Sequence, residues 1–308
     1  MGFNQRGAVI QLGDTQPLSL LATQDPTQSS EALAVRLRLL PWGEAGVPAP
    51  LDQLLVTGSH HRVDGGAGRV AFQLLAALGI SGWSARLDLQ SAVNVLRRTS
   101  QANGVYVRAW QALKQAGLYE THTAFFGRRP VAIARLTDLG RTLLAQAGVA
   151  VSASEWERIA AGHRRAEEGE QMPHTSAICL FLHHARVRGY ATEACPVGDF
   201  GGAEPDCCIM RPGSLLYVEV QRRGGAAWRR ARKWHHQYAL QGYAAICALT
   251  PAWAQRLAAE AQLVGVGLGY VTDLATLAED APVGLWTHCW RSPHSPLEAL
   301  TADETLPG

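Results

Sequence analysis

The chain has 308 residues, of which 47% are hydrophobic and 18% charged, with a formal net charge of +2. These values fit a soluble globular protein of one or two domains with ample core, and they leave partner choice to how charge is distributed rather than to its sum. No apolar run reaches membrane-spanning length, and MGFNQRGAVIQLGD lacks a charged head before an apolar signal run, so a cytoplasmic protein with no membrane partner is expected.

Residues 1–65 read as an N-terminal arm or small subdomain. Short apolar pieces alternate with Pro, Gly and Ser breaks, and the stretch from Glu31 to Leu40 fits a helix or a strand. His60-His61 falls in a loop-like segment. From Arg69 the pattern turns helical. Val70, Leu74, Leu75 and Leu78 share a face, with Gly79 as the stop. Asp88 reads as the N-cap of a second helix. A third helix carries Val107, Trp110 and Leu113 and ends at Gly117. Strand-like pieces flank Gly127-Arg128-Arg129-Pro130, and Thr137 reads as the cap of a fourth helix.

Residues 151–172 are polar and read as a linker helix. An amphipathic helix begins at His174 and stops at Gly189, and a first strand follows over Tyr190 to Cys195, carrying Glu193. Cys207 to Met210 and Leu215 to Val220 read as strands joined by the turn Arg211-Pro212-Gly213-Ser214, in which Pro fixes φ and Gly accepts a positive φ. A register symmetric about that turn sets Met210 against Leu215, Cys208 against Tyr217 and Asp206 against Glu219. Opposed side chains lie about 5 Å apart, so the two carboxylates need a proton or a cation between them. Gln221 points to the same face as Glu219. Oxygen ligands of this kind suit Mg²⁺ or Mn²⁺. The segment after the hairpin carries Arg222, Arg223, Arg229, Arg230, Arg232 and Lys233 with no acid among them, as contact with a polyanion would need.

Beyond it come a strand from Tyr243, a helix opening at Pro251, a strand ending near Val271, a short helix and a closing strand before Trp290. Residues 291–308 read as a loosely ordered tail. The six cysteines form no CxxC pair and read as reduced core thiols. His174, His183, Cys179 and Cys195 lack the spacing of a closed zinc site.

Three helices, a hairpin and a helix over 66–150, with the phrase from Arg108 to Leu118 and then Leu136 to Gly140, resemble winged helix-turn-helix regulators. The resemblance implies that Arg108, Gln111, Lys114 and Gln115 face double-stranded DNA, with Arg128 and Arg129 at the wing tip. Pro205-Asp206 and Glu219-Val220-Gln221 resemble the PD-(D/E)xK nuclease motif, with Gln where that family has Lys. The resemblance implies a restriction-endonuclease-like α/β domain over 173–290, a mixed central sheet flanked by helices, with Asp206, Glu219 and Gln221 catalytic and Glu193 a further metal ligand. The whole order is similar to replication-relaxation proteins of bacterial mobile elements. His174, Pro205-Asp206, Glu219, Lys233 and Tyr238 carry that resemblance. It implies a multi-domain α/β protein that is a Mg²⁺-dependent DNA endonuclease. The alternatives are a non-catalytic DNA-binding regulator of replication or conjugation, and a homodimeric module that meets partner proteins of the element's machinery.

Overall fold

The computed structural model describes residues 29–40, 65–97, 103–126, 129–162, 168–198, 200, 204–222, 227–279 and 284–300. The His60-His61 loop, Arg128 and Arg223 lie outside the described residues.

Ser29 decides the ambiguity at the N-terminus. Its hydroxyl accepts the Ala32 N–H and caps helix α1 (Ser30–Arg38), so this stretch is helical. Helix α2 (Gly65–Ser81) runs two residues past Gly79. That glycine is not a stop: a Cβ there would lie 2.6 Å from Leu144 Cδ1, so the missing side chain admits a packing partner. The helix ends before Gly82, whose φ is +68°. Helix α3 (Arg86–Arg97) begins ahead of Asp88, which is therefore in its first turn and not its cap.

Helix α4 (Asn103–Gln115) closes before Gly117 at φ +67°. Trp110 and Leu113 are buried as expected, but Val107 is 62% exposed, and Tyr106 and Ala109 take its place in the core. Strands β1 (Tyr119–Phe126) and β2 (Arg129–Leu136) form an antiparallel hairpin. Helix α5 (Asp138–Gln146) follows, capped by Thr137 through the Gly140 N–H. Helix α6 (Glu155–Gly162) leads to α7 (Glu168–Val187), which starts six residues before His174 and carries Pro173 inside it.

Strand β3 (Ala191–Ala194) is one edge of a seven-stranded mixed sheet. Strands β4 (Cys207–Arg211) and β5 (Ser214–Gln221) pair in the expected register, Met210 to Leu215 and Cys208 to Tyr217, about a turn whose Gly213 has φ +78°. The basic helix α8 (Ala227–Gln241) returns the chain to β6 (Ala244–Ala248), parallel to β5. Helix α9 (Pro251–Leu263) then leads to β7 (Gly269–Asp273), parallel to β6. A single-turn helix α10 (Leu274–Leu277), capped by Asp273, precedes β8 (His288–Trp290) and β9 (Glu298–Ala299).

The residues read as a loose tail include a fastened piece. Gln262 donates to the carbonyls of Ser292 and Ser295, and the Leu300 N–H bonds the Thr287 carbonyl, so residues 291–300 are tied to the domain, with Glu298 and Ala299 paired to the sheet edge. The protein is thus mixed α/β, and no helix among the described residues is long and apolar enough to cross a membrane. All six cysteines are free, and five are buried.

Three apolar clusters among the described residues hold this arrangement. One lies among α1 to α5. A second fills the sheet face under α7, and a third the opposite face under α8 and α9. The β1–β2 hairpin serves two of them. Tyr119, Ala134 and Leu136 pack with the helices, whereas Phe126, Val131 and Ile133 pack with α7 and the sheet. Where the helices meet the sheet, a charge cluster is sealed from water. Arg186 of α7 donates to Asp88 (2.8 and 2.5 Å), to Glu155 (2.5 Å) and to the Thr192 hydroxyl (2.8 Å). The Asp88 carboxylate also meets His183 Nδ1 at 2.7 Å, and Glu155 accepts the Ser84 N–H. Asp88, read as a cap, is in fact half of a long-range ion pair.

Candidate active site

The site stands at the carboxyl ends of the parallel strands, where open α/β sheets place ligands. Pairing of β4 with β5 stops at Cys207 and Val218. One residue earlier, Asp206 takes over with its side chain. Its Oδ2 accepts the Val220 N–H at 2.8 Å, and its backbone carbonyl accepts the Cys195 N–H at 3.0 Å. Asp206 Oδ1 lies 3.3 Å from His174 Nε2. Asp206 is completely buried and Glu219 is 2% exposed.

Glu219 has a partner that sequence spacing placed elsewhere. Lys233 Nζ donates to Glu219 Oε2 at 2.6 Å, and Gln221 Nε2 approaches the same oxygen at 3.3 Å. Lys233 was expected to be one of several phosphate contacts; it is instead the cation of the acidic pair. The cause lies in α8. Gln237 is one helical step of four residues beyond Lys233, and Gln241 one step further, so the three form a stripe facing the sheet. The Gln237 amide fills the gap where β5 and β6 have not yet joined. It donates to the carbonyls of Tyr217 (2.6 Å) and Ala245 (3.2 Å) and accepts the Ala245 N–H (3.1 Å). Gln241 both accepts the Tyr217 N–H and donates to the Tyr217 carbonyl. Four residues of helix rise about 6 Å and two of strand about 6.6 Å. Anchoring Gln237 at Tyr217 therefore delivers Lys233 to Glu219. The pattern Lys-x₃-Gln-x₃-Gln was visible in the sequence, but its meaning depends on the helix lying over β5.

The electrostatics follow from burial. Loss of water is the largest influence on Glu219 and raises its pKa. Lys233 pulls it down, Asp206 pushes it up again, and the carboxyl is held at about 7. Lys233 is raised in turn, because two carboxylates outweigh the cost of its own burial.

The other expected site residues divide. Glu193 shares a rung with Cys208, not with Asp206, and its carboxylate lies 3.9 Å from Cys208 Sγ. Arg230, expected on DNA, is buried and grips Glu260 with two hydrogen bonds of 2.8 and 3.0 Å. Arg222 is half-buried, and its carbonyl accepts the Trp253 indole N–H at 2.6 Å. Tyr238 is also turned from the pair. It packs with the cluster under α8 and α9, its hydroxyl 3.0 Å from where a Gly267 Cβ would stand. Arg229 and Arg232 are exposed on α8, and Arg108, Gln111, Lys114 and Gln115 are all exposed on α4. Arg129 opens β2.

Among the described residues no group of three or more His, Cys, Asp and Glu is arranged to hold a metal ion. The donors that do converge are two carboxylates and a carboxamide. That chemistry suits a hard divalent cation with water completing its shell. No protein-family model, curated protein or solved structure matches the chain.

Proposed function

We infer that this chain is a Mg²⁺- or Mn²⁺-dependent DNA endonuclease of the PD-(D/E)xK type, with a winged-helix-like N-terminal half and the replication-relaxation order. The observation that carries the reading is the buried Asp206–Glu219 pair with Lys233 on Glu219. Gln221 stands where the motif calls for lysine, and Lys233 brings an ammonium to the same carboxylate from the next helix. The departure in the motif is thereby offset in space.

Asp206 and Glu219 would hold the cation. When bound, it polarises the scissile phosphate and lowers the pKa of a water. Val220 N–H and His174 fix the Asp206 carboxylate in place. Lys233 supplies positive charge where the phosphate's charge grows, and Gln221 offers a carboxamide to orient the attacking water. Arg229 and Arg232 lie exposed on the helix that bears Lys233, placed for backbone phosphates. The exposed row Arg108, Gln111, Lys114 supports DNA contact by α4.

The test is nicking of supercoiled DNA by the purified chain with Mg²⁺ or Mn²⁺. Asp206→Ala and Glu219→Ala should each abolish it, as should removal of the cation by chelation. Undiminished nicking in both variants would sink the assignment. One observation favours a second reading, a non-catalytic DNA-binding regulator: Lys233 already compensates Glu219 without a metal. DNA binding with no response to divalent cations and no cleavage would select it.

A further inference from the structure

Helix α8 presents two unlike faces. Arg230, Trp234 and Gln237 are buried against α9 and the sheet. Trp228, Arg232 and His235 follow one another at steps of four and three, and all three are exposed on the other face. Arg229 lies on the flank between them, one helical step of four before Lys233. The helix contains no acidic residue.

Trp228 is the unusual member of this face. It is 60% exposed, whereas Trp83, Trp110, Trp156, Trp234, Trp286 and Trp290 are all buried. Leaving an indole in water forgoes a large gain from burial. The Arg229 guanidinium lies over its ring, 5.3 Å from the ring centre. An apolar protein surface laid on the indole would leave Arg229 and Arg232 without counter-charge. A nucleotide meets both demands, because its base stacks on the indole while its phosphate meets the guanidinium groups. Bases in a duplex keep their faces against one another, so the base that stacks here is unpaired.

Position ties this face to the acidic pair. Lys233 holds Glu219, and Gln237 holds Tyr217, two residues back along β5. Towards its start, α8 therefore runs out past the carboxyl end of β5. Trp228 stands five residues before Lys233, about 7.5 Å of helix rise. We propose that the Trp228, Arg229 and Arg232 face of α8 binds unpaired DNA leading away from the acidic pair. The inference rests on the nuclease reading and narrows its substrate to DNA with a single-stranded stretch beside the cut.

The probes are a fluorescein-labelled thymidine nonamer and a labelled strand of the same length whose sugars carry no bases. Both have the same phosphates, so their difference reports stacking alone. Binding to the full chain is followed by anisotropy across a salt series, with chelator present. The thymidine strand should bind about tenfold tighter than the abasic one. Trp228→Ala should bring the two together without changing the salt slope, and Trp228→Phe should restore most of the difference. Arg229→Gln and Arg232→Gln should each lower the salt slope by about 0.7. Equal binding of the two strands, no binding of either, or a difference that survives Trp228→Ala overturns the proposal. So does a salt slope unmoved by both arginine substitutions, or self-association of the chain that Trp228→Ala abolishes, since a second copy would then cover the indole. The two readings fail separately. Nicking without a stacking difference removes this proposal alone, and a stacking difference without nicking removes only the catalytic assignment.

Discussion

Lys233 and Glu219 show how a single contact can reverse the sense of a motif. Lys233→Met should abolish nicking and also cost stability, because it leaves Glu219 buried without its cation even though the lysine side chain itself is 36% exposed. Gel assays beside a melting curve would separate the two effects. Burial first, with Asp206 adding to it and Lys233 opposing, holds Glu219 at about 7. The unfolded chain gives up that proton near 4.5, so this group lowers stability as pH rises from there through 7. A divalent cation bound to the carboxylate reverses the penalty. The gain in melting temperature on adding Mg²⁺ should therefore be larger at about pH 8 than at about pH 6. His184 gives the opposite slope. Burial first, then His183 and Arg188, lower it from 6.5 to about 3, so it stays neutral in the fold. Below 6.5 the unfolded chain takes up a proton that the folded chain refuses, and stability falls towards acid. His184→Gln should flatten that slope between 6.5 and 3 in urea unfolding. The Asp206 and Glu219 pair was legible because hairpin register is local. The role of Lys233 was not, since it depends on how α8 lies over β5, which no local pattern states.

At the level of elements, the hairpin and its turn were readable because Pro212 and Gly213 fix the register from within, whatever surrounds them. Helix ends were less so. Gly79 has the composition of a terminator, yet α2 continues through it because Leu144 of α5 fills the space that its missing side chain leaves. The same logic makes Gly140 sensitive. A Cβ there would stand 2.1 Å from the Leu118 carbonyl oxygen, so Gly140→Ala should cost about 1–3 kcal/mol by forcing α5 away from the turn that follows α4. Chemical denaturation measures this directly. Helix α8 depends on polar anchors in the same way. Gln237→Leu leaves the Ala245 N–H and carbonyl without their side-chain partner, while the Tyr217 carbonyl keeps Gln241. The expected loss is about 1–3 kcal/mol for each group left unpaired. Because Lys233 rides on the same stripe, nicking should fall further than the stability loss alone explains.

Over the whole molecule, the sequence read as separate segments joined by a polar linker, whereas the structure ties them by side chains far apart in the chain. Asp88 looked like a helix cap because only its neighbours were in view; Arg186, 98 positions later, gives it its actual task. Arg186→Met should destabilise the protein by about 3–5 kcal/mol, since Asp88 and Glu155 would remain buried without their cation. Calorimetric melting checks the size of the effect. Asp88→Asn should also blunt acid unfolding. Burial raises the Asp88 pKa, but Arg186 and His183 more than offset this and leave it lowered, so its contribution is lost as pH falls. The interlock of Arg186 with α3, α6 and β3 fixes a length as well as a stability. Under the proposed function, α4 and Asp206 belong to one stiff caliper. The distance along DNA from the protected bases to the broken strand should then be the same at every site, and it should become irregular when Arg186 is replaced.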